Sequence, residues 1–124
     1  MKLTKNFNRE EFDCTDGTKV PEMYMANLME LAKNLQTLRD ILNEPVLITG
    51  SGYRTPSHNK KVGGAKQSQH LTASAADINV KSKTPYQLGK TIENLINKGI
   101  MKQGGIGIYK GFVHYDIRGT KARW

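Results

Sequence analysis

The chain has 124 residues, of which 37% are hydrophobic and 24% charged, with 12 glycines, one cysteine and a formal net charge of +8. This length predicts one domain over residues 1–124, with a core large enough to stand without cross-links; the lone Cys14 excludes an intrachain disulfide. No run of about 18 apolar residues occurs, so no membrane insertion is expected, and the composition is not that of a disordered chain.

The positive charge implies an anionic partner. The lysines are scattered and no aromatic residues interleave with them, so a nucleic-acid platform is not expected. Met1-Lys2-Leu3-Thr4-Lys5-Asn6-Phe7 contains no apolar h-region, so no signal peptide is expected and synthesis is assigned to the cytoplasm. Cys14 lies in Asp13-Cys14-Thr15-Asp16, where the acids favour the protonated thiol, and it reads as structural.

Residues 1–20 look irregular, with Phe7 and Phe12 as anchors onto the core and Asp16-Gly17 as a turn. A helix is predicted from Pro21 to Leu42. Leu28, Leu31, Leu35, Leu38 and Leu42 recur at spacings of three and four, Pro21 suits the first turn, and Asn43 and Pro45 suit the stop. Val46-Leu47-Ile48-Thr49 reads as a buried strand. Residues 55–69 form a Gly- and Lys-rich connection with one helical turn ending at Gly63-Gly64.

Residues 75–80 read as a second strand. Period two sends Ala76, Ile78 and Val80 to one side and Ala75, Asp77 and Asn79 to the other. Thr84-Pro85-Tyr86-Gln87 has the pattern of a capping box opening a helix that Lys98-Gly99 closes. A hairpin follows: Ile106 to Tyr109, a Lys110-Gly111 turn, then Phe112 to Arg118. In its second strand Val113, Tyr115 and Ile117 alternate with His114, Asp116 and Arg118. These elements describe a small mixed α+β domain, an antiparallel sheet with helices packed on one side.

Asp77 is unusual in a strand. If the strands are neighbours, Asp77, His114 and Asp116 share one rigid polar face. His70, seven positions before Asp77, reaches that face only if its loop folds back. Imidazole and carboxylate are the ligand types of catalytic zinc, which keeps a fourth position for water. From these residues alone, a metal site and a solvated polar face both stay open.

Taken in order, Ser51-Gly52-Tyr53-Arg54, Ser68-x-His70-x4-Ala75-x-Asp77 and Phe112-Val113-His114-x-Asp116 resemble the M15 family of zinc peptidases. The resemblance runs from about Phe7 to Arg118 and is nearest to the small branch related to D-Ala-D-Ala carboxypeptidases and phage endolysins. It implies a Hedgehog/DD-peptidase-like fold, with Zn2+ held by His70, Asp77 and His114. It further implies that Arg54 binds a substrate carboxylate or steadies the oxyanion, and that Tyr53 and Ser68 contribute to the substrate site. Arginine suits a carboxylate because its planar fork binds it bidentately.

The implied activity is hydrolysis of a peptide bond in peptidoglycan stem peptides, either a terminal D-Ala-D-Ala bond or an internal one. The implied agent is a monomer that reaches the wall after release and whose basic surface also attracts anionic wall polymers. The rival is a zinc-stabilised, non-catalytic wall-binding module. Two departures from the family stand out. Ala73 occupies a position where glycine is frequent, and Gly111 stands three residues before His114, where many members carry an acidic base. Asp116 is the nearest carboxylate. It is read as the general base, with orientation of a ligand and contact with substrate as its other possible roles. His58 is expected to hydrogen-bond within its loop rather than supply a fourth ligand.

Overall fold

A computed structural model describes residues 1–124. The chain opens with two 3-10 turns, Arg9–Phe12 and Glu22–Tyr24. It continues through α1 (Met25–Leu42), β1 (Leu47–Ile48), α2 (Pro56–Lys61) and a third 3-10 turn, Gln69–Thr72. Then come β2 (Ala75–Asn79), α3 (Pro85–Asn97), β3 (Gly105–Ile108), β4 (Val113–Asp116) and β5 (Ala122–Arg123).

The leucine stripe makes α1. Leu28, Leu31, Leu35 and Leu38 are wholly buried, as is Ala32 between them. The helix starts later than its pattern suggests because Pro21 caps the 3-10 turn instead, with Tyr24 N–H bonded to Pro21 O at 3.0 Å. It stops at Asn43, whose left-handed backbone (φ 52°) suits asparagine. The Thr84–Gln87 capping box opens α3 as expected. Thr55 caps α2 by accepting from His58 N–H at 3.2 Å, and Pro56 follows in the first turn.

The strands form one five-stranded sheet in the order β1-β2-β4-β3-β5. All pairs are antiparallel except β3 with β5, which is parallel. The sheet is therefore mixed rather than purely antiparallel. The added strand β5 is only two residues, Ala122 and Arg123, too short to carry an alternation that would betray it. The link from Arg123 to Glu93 on α3 helps to hold it, with Nε donating to Oε1 at 2.6 Å and Nη2 to Oε2 at 2.8 Å. β1 is an edge strand, which explains why Leu47 is 40% exposed where a buried strand is expected.

Period two divides the sheet into two faces. Ala76 and Ile78 of β2, Ile106 of β3, and Val113 and Tyr115 of β4 join one 25-residue apolar cluster. That cluster includes the α1 leucines, Leu88 and Ile92 of α3, and both Phe7 and Phe12. The opposite face carries Asp77 and His114, which stand directly across from each other in the β2–β4 register. The core thus clamps the strands from behind, and the polar face is held rigidly.

Candidate metal centre

Asp77 is positioned by β2 and His114 by β4. His70 arrives on the 3-10 turn Gln69–Thr72, opened by Ser68, whose Oγ accepts from His70 N–H at 3.2 Å. The turn closes on Ala73, which takes the left-handed conformation (φ 57°, ψ 33°) and redirects the chain into β2. Glycine would adopt this angle freely; alanine does so at a cost of about 1–2 kcal/mol.

The turn folds His70 back onto the face that carries Asp77. Asp77 Oδ1 lies 3.3 Å from His70 Nε2 and 3.5 Å from His114 Nδ1. Ligand bonds of about 2.0–2.2 Å to one tetrahedral ion put ligand atoms roughly 3.3–3.6 Å apart. The three groups therefore have the spacing of a single metal centre, and all three residues are buried.

The proton positions follow from the outer contacts. His70 Nδ1 lies 2.7 Å from Gly52 O, and a carbonyl only accepts, so Nδ1 carries the hydrogen and Nε2 offers its lone pair inward. Gly52 itself runs so close to Phe12 that a Cβ would stand 2.8 Å from Phe12 Cα. His114 Nε2 lies 2.6 Å from Asp116 Oδ2 and donates to it, which leaves Nδ1 facing Asp77. Asp77 Oδ1 is buried and has no hydrogen-bond donor. A buried carboxylate oxygen without a donor carries a desolvation penalty, and a cation between the three lone pairs removes it. The residues present fit a divalent metal.

Burial raises the Asp77 carboxyl; with protons rather than a cation between the three groups, hydrogen bonds from His114 and His70 outweigh it and hold it below the ordinary carboxylate range. Burial lowers the His114 imidazole, and in that same protonated state Asp116 and Asp77 more than reverse this; a bound cation takes the place of those protons.

The group opens onto a cleft of about 570 Å³. Arg54 lines it, with Nε donating to Ser51 Oγ at 2.9 Å, Nη1 donating to Asn59 Oδ1 at 3.1 Å, and Nη2 3.7 Å from Asp77 Oδ2. Ser68 also lines the cleft. Tyr53, expected at the substrate site, does not: it is 5% exposed, belongs to the apolar cluster and faces Tyr24, with ring centroids 6.1 Å apart. Its neighbour Arg54 points the other way, into the cleft.

Asp116 also lies outside the cleft lining, behind His114 and wholly buried. Its Oδ1 accepts from Gly105 N–H at 2.8 Å and Arg118 Nε at 2.9 Å, and its Oδ2 from His114 and from Arg118 Nη2 at 2.8 Å. Burial pushes this carboxyl up, and those donors outweigh it and hold it well below its ordinary range. This is the geometry of a group that orients a metal-ligating histidine, not of a base in contact with substrate. The only side-chain carboxylate lining the cleft is that of Asp77.

His58 is not part of this centre. Its Nε2 lies 2.9 Å from Thr15 Oγ1, and it stands with Cys14 and Asp16 in a separate group. Asp16 there already accepts from Thr18 N–H at 2.8 Å and Thr55 Oγ1 at 3.0 Å. Sequence reasoning missed Arg118 and Trp124 as cleft residues; Trp124 arrives only through the unforeseen β5.

No helix of the chain is long and apolar enough to cross a membrane. A family model described as Peptidase M15 matches residues 5–116. No curated protein matches the chain.

Proposed function

The chain belongs to the Peptidase M15 family, whose members are metallopeptidases, and from that premise we propose that it is a zinc-dependent peptidase that cuts a bond in peptidoglycan stem peptides. The observation that carries the reading is the buried, donorless Asp77 Oδ1 between two imidazoles whose protons are turned outward. His70 Nε2, Asp77 Oδ1 and His114 Nδ1 would hold the ion. Zinc suits two imidazoles and a carboxylate, and when bound it supplies Lewis-acid polarisation of a carbonyl and acidification of water.

The remaining chemistry belongs to the chain. Asp116 is proposed as a positioning residue that keeps the His114 tautomer and ring orientation. Arg54, held by Ser51 and Asn59, offers the cleft a fixed guanidinium for a substrate carboxylate. Ser68 sets the turn that presents His70 and lines the same cleft. The net charge of +8 favours approach to anionic wall polymers, an attraction that salt weakens.

One observation favours a second reading, a zinc-stabilised wall-binding module without turnover: no side-chain carboxylate other than the proposed ligand Asp77 lines the cleft. Mass spectrometry of defined stem peptides incubated with the protein separates the two. Cleavage of one bond, abolished by chelator and restored by zinc, supports the peptidase. Intact peptides in the presence of zinc-loaded protein overturn it in favour of the binding module.

A further inference from the structure

β3 reads Gly105-Ile106-Gly107-Ile108. Its isoleucines point to the core or the sheet edge, and its glycines leave the cleft face bare. That bare strip is covered by the Asp116 carboxylate and by two side chains from further along the chain. A Cβ on Gly107 would stand 2.5 Å from Trp124 Nε1, and one on Gly105 would stand 2.3 Å from Asp116 Oδ2 and 3.0 Å from Arg118 Nη2. The glycines are therefore what lets Arg118 and Trp124 lie across β3.

Both side chains are fixed there. Trp124 is held by two backbone bonds to β3, its N–H donating to Ile106 O at 3.1 Å and its O accepting from Ile108 N–H at 2.9 Å. Its indole Nε1 donates to Tyr109 Oη at 2.7 Å, and its ring lies 4.9 Å from that of His114. Arg118 lies 5.4 Å over the indole and is held to Asp116 through Nε and Nη2. Arg118 Nη1 donates to no protein acceptor, and the side chain is 29% exposed in the wall of the cleft. Trp124 is 48% exposed there.

The sheet order places this pair opposite Arg54. Arg54 follows β1 at one edge, Asp77 and His114 stand on the central β2 and β4, and Trp124 follows β5 at the other edge. The cleft thus runs guanidinium, metal ligands, guanidinium with an aromatic plane. Arg118 and Trp124 both lie beyond the matched residues 5–116.

We propose that Arg118 and Trp124 form a second substrate subsite, across the metal centre from Arg54. It takes a peptide residue with a free carboxylate on an aliphatic stem, the carboxylate on Arg118 Nη1 and the stem on the indole face. This rests on the peptidase reading and narrows its substrate to a peptide carrying a carboxylate on each side of the metal. A γ-linked glutamyl residue, whose α-carboxylate stays free, has that chemistry.

The test compares two stem peptides that differ only in that α-carboxylate, free in one and amidated in the other. A hydrogen bond to a charged group corresponds to roughly tenfold or more in affinity. Trp124 is the only tryptophan, so its fluorescence reports binding to the zinc-loaded protein without turnover. The free acid should bind about tenfold more tightly, and the same ratio should appear in KM. In Arg118→Gln the ratio should collapse to near one, whereas Arg118→Lys should retain part of it. Because a weakened metal site lowers both peptides alike, the ratio isolates the subsite. Equal binding of acid and amide by the wild type, or an unchanged ratio in Arg118→Gln, overturns the proposal. If the acid is preferred but neither peptide is cut, the subsite stands and the peptidase reading falls.

Discussion

Asp116 Oδ2 sits 2.6 Å from His114 Nε2, and this one contact decides which nitrogen of His114 faces Asp77. With its one proton committed to Asp116, the neutral His114 ring presents Nδ1 inward as a lone pair. The same carboxylate is buried and saturated by Arg118 and Gly105, so its position is set independently of the ion.

Asp116→Asn should therefore act through the metal. Loss of such an outer partner typically weakens metal binding by about 10–100-fold. Zinc titration of the variant should show that loss, and turnover should recover as zinc is raised. A turnover deficit of several orders of magnitude with zinc fully bound would instead make Asp116 the base.

Ala73 is a second local test. Its left-handed backbone carries strain of about 1–2 kcal/mol, which glycine would relieve. Its buried methyl is worth about 0.8 kcal/mol. Ala73→Gly should change unfolding free energy by less than about 1 kcal/mol, since the two terms oppose. Ala73→Val adds a β-branched side chain at an angle such residues avoid, and should destabilise clearly in denaturant titration.

The β5 anchor predicts a pH dependence. Hydrogen bonding from Arg123 holds the Glu93 carboxyl below its ordinary value. A depressed folded-state pKa contributes stability that is present above the unfolded pKa and lost as pH falls through the folded one. Acidification below about pH 4 should thus loosen β5, read as a red shift in Trp124 fluorescence. Glu93→Gln should show part of that shift already at neutral pH and little further change in acid.

Much of the fold follows from local periodicity. The α1 leucines, the α3 capping box and the alternation in β2 and β4 each state their structure within a few residues. The grouping of His70, Asp77 and His114 was legible for the same reason, since period two puts Asp77 and His114 on one face and the motif resemblance brings in His70. Three features depend on contacts between distant residues and were not legible. β5 is specified by Glu93, some thirty positions upstream of Arg123. Tyr53 and Arg54 belong to one short motif, yet Tyr53 packs on Tyr24 while Arg54 enters the cleft. Asp116 shares a strand face with His114, and only its burial and its bonds to Arg118 and Gly105 separate an orienting carboxylate from a base.

The central claim is that His70, Asp77 and His114 hold one ion. Elemental analysis of zinc per chain after dialysis, in the wild type and in His70→Ala, His114→Ala and His58→Ala, tests it most directly. One zinc per chain is expected in the wild type and in His58→Ala, and its loss in the other two. Saturating zinc, at about a thousandfold over Kd, should also stabilise the wild type by about 4 kcal/mol and leave His70→Ala unmoved. Zinc retained by both His70→Ala and His114→Ala but lost from His58→Ala would contradict the account and move the metal to the group around Cys14.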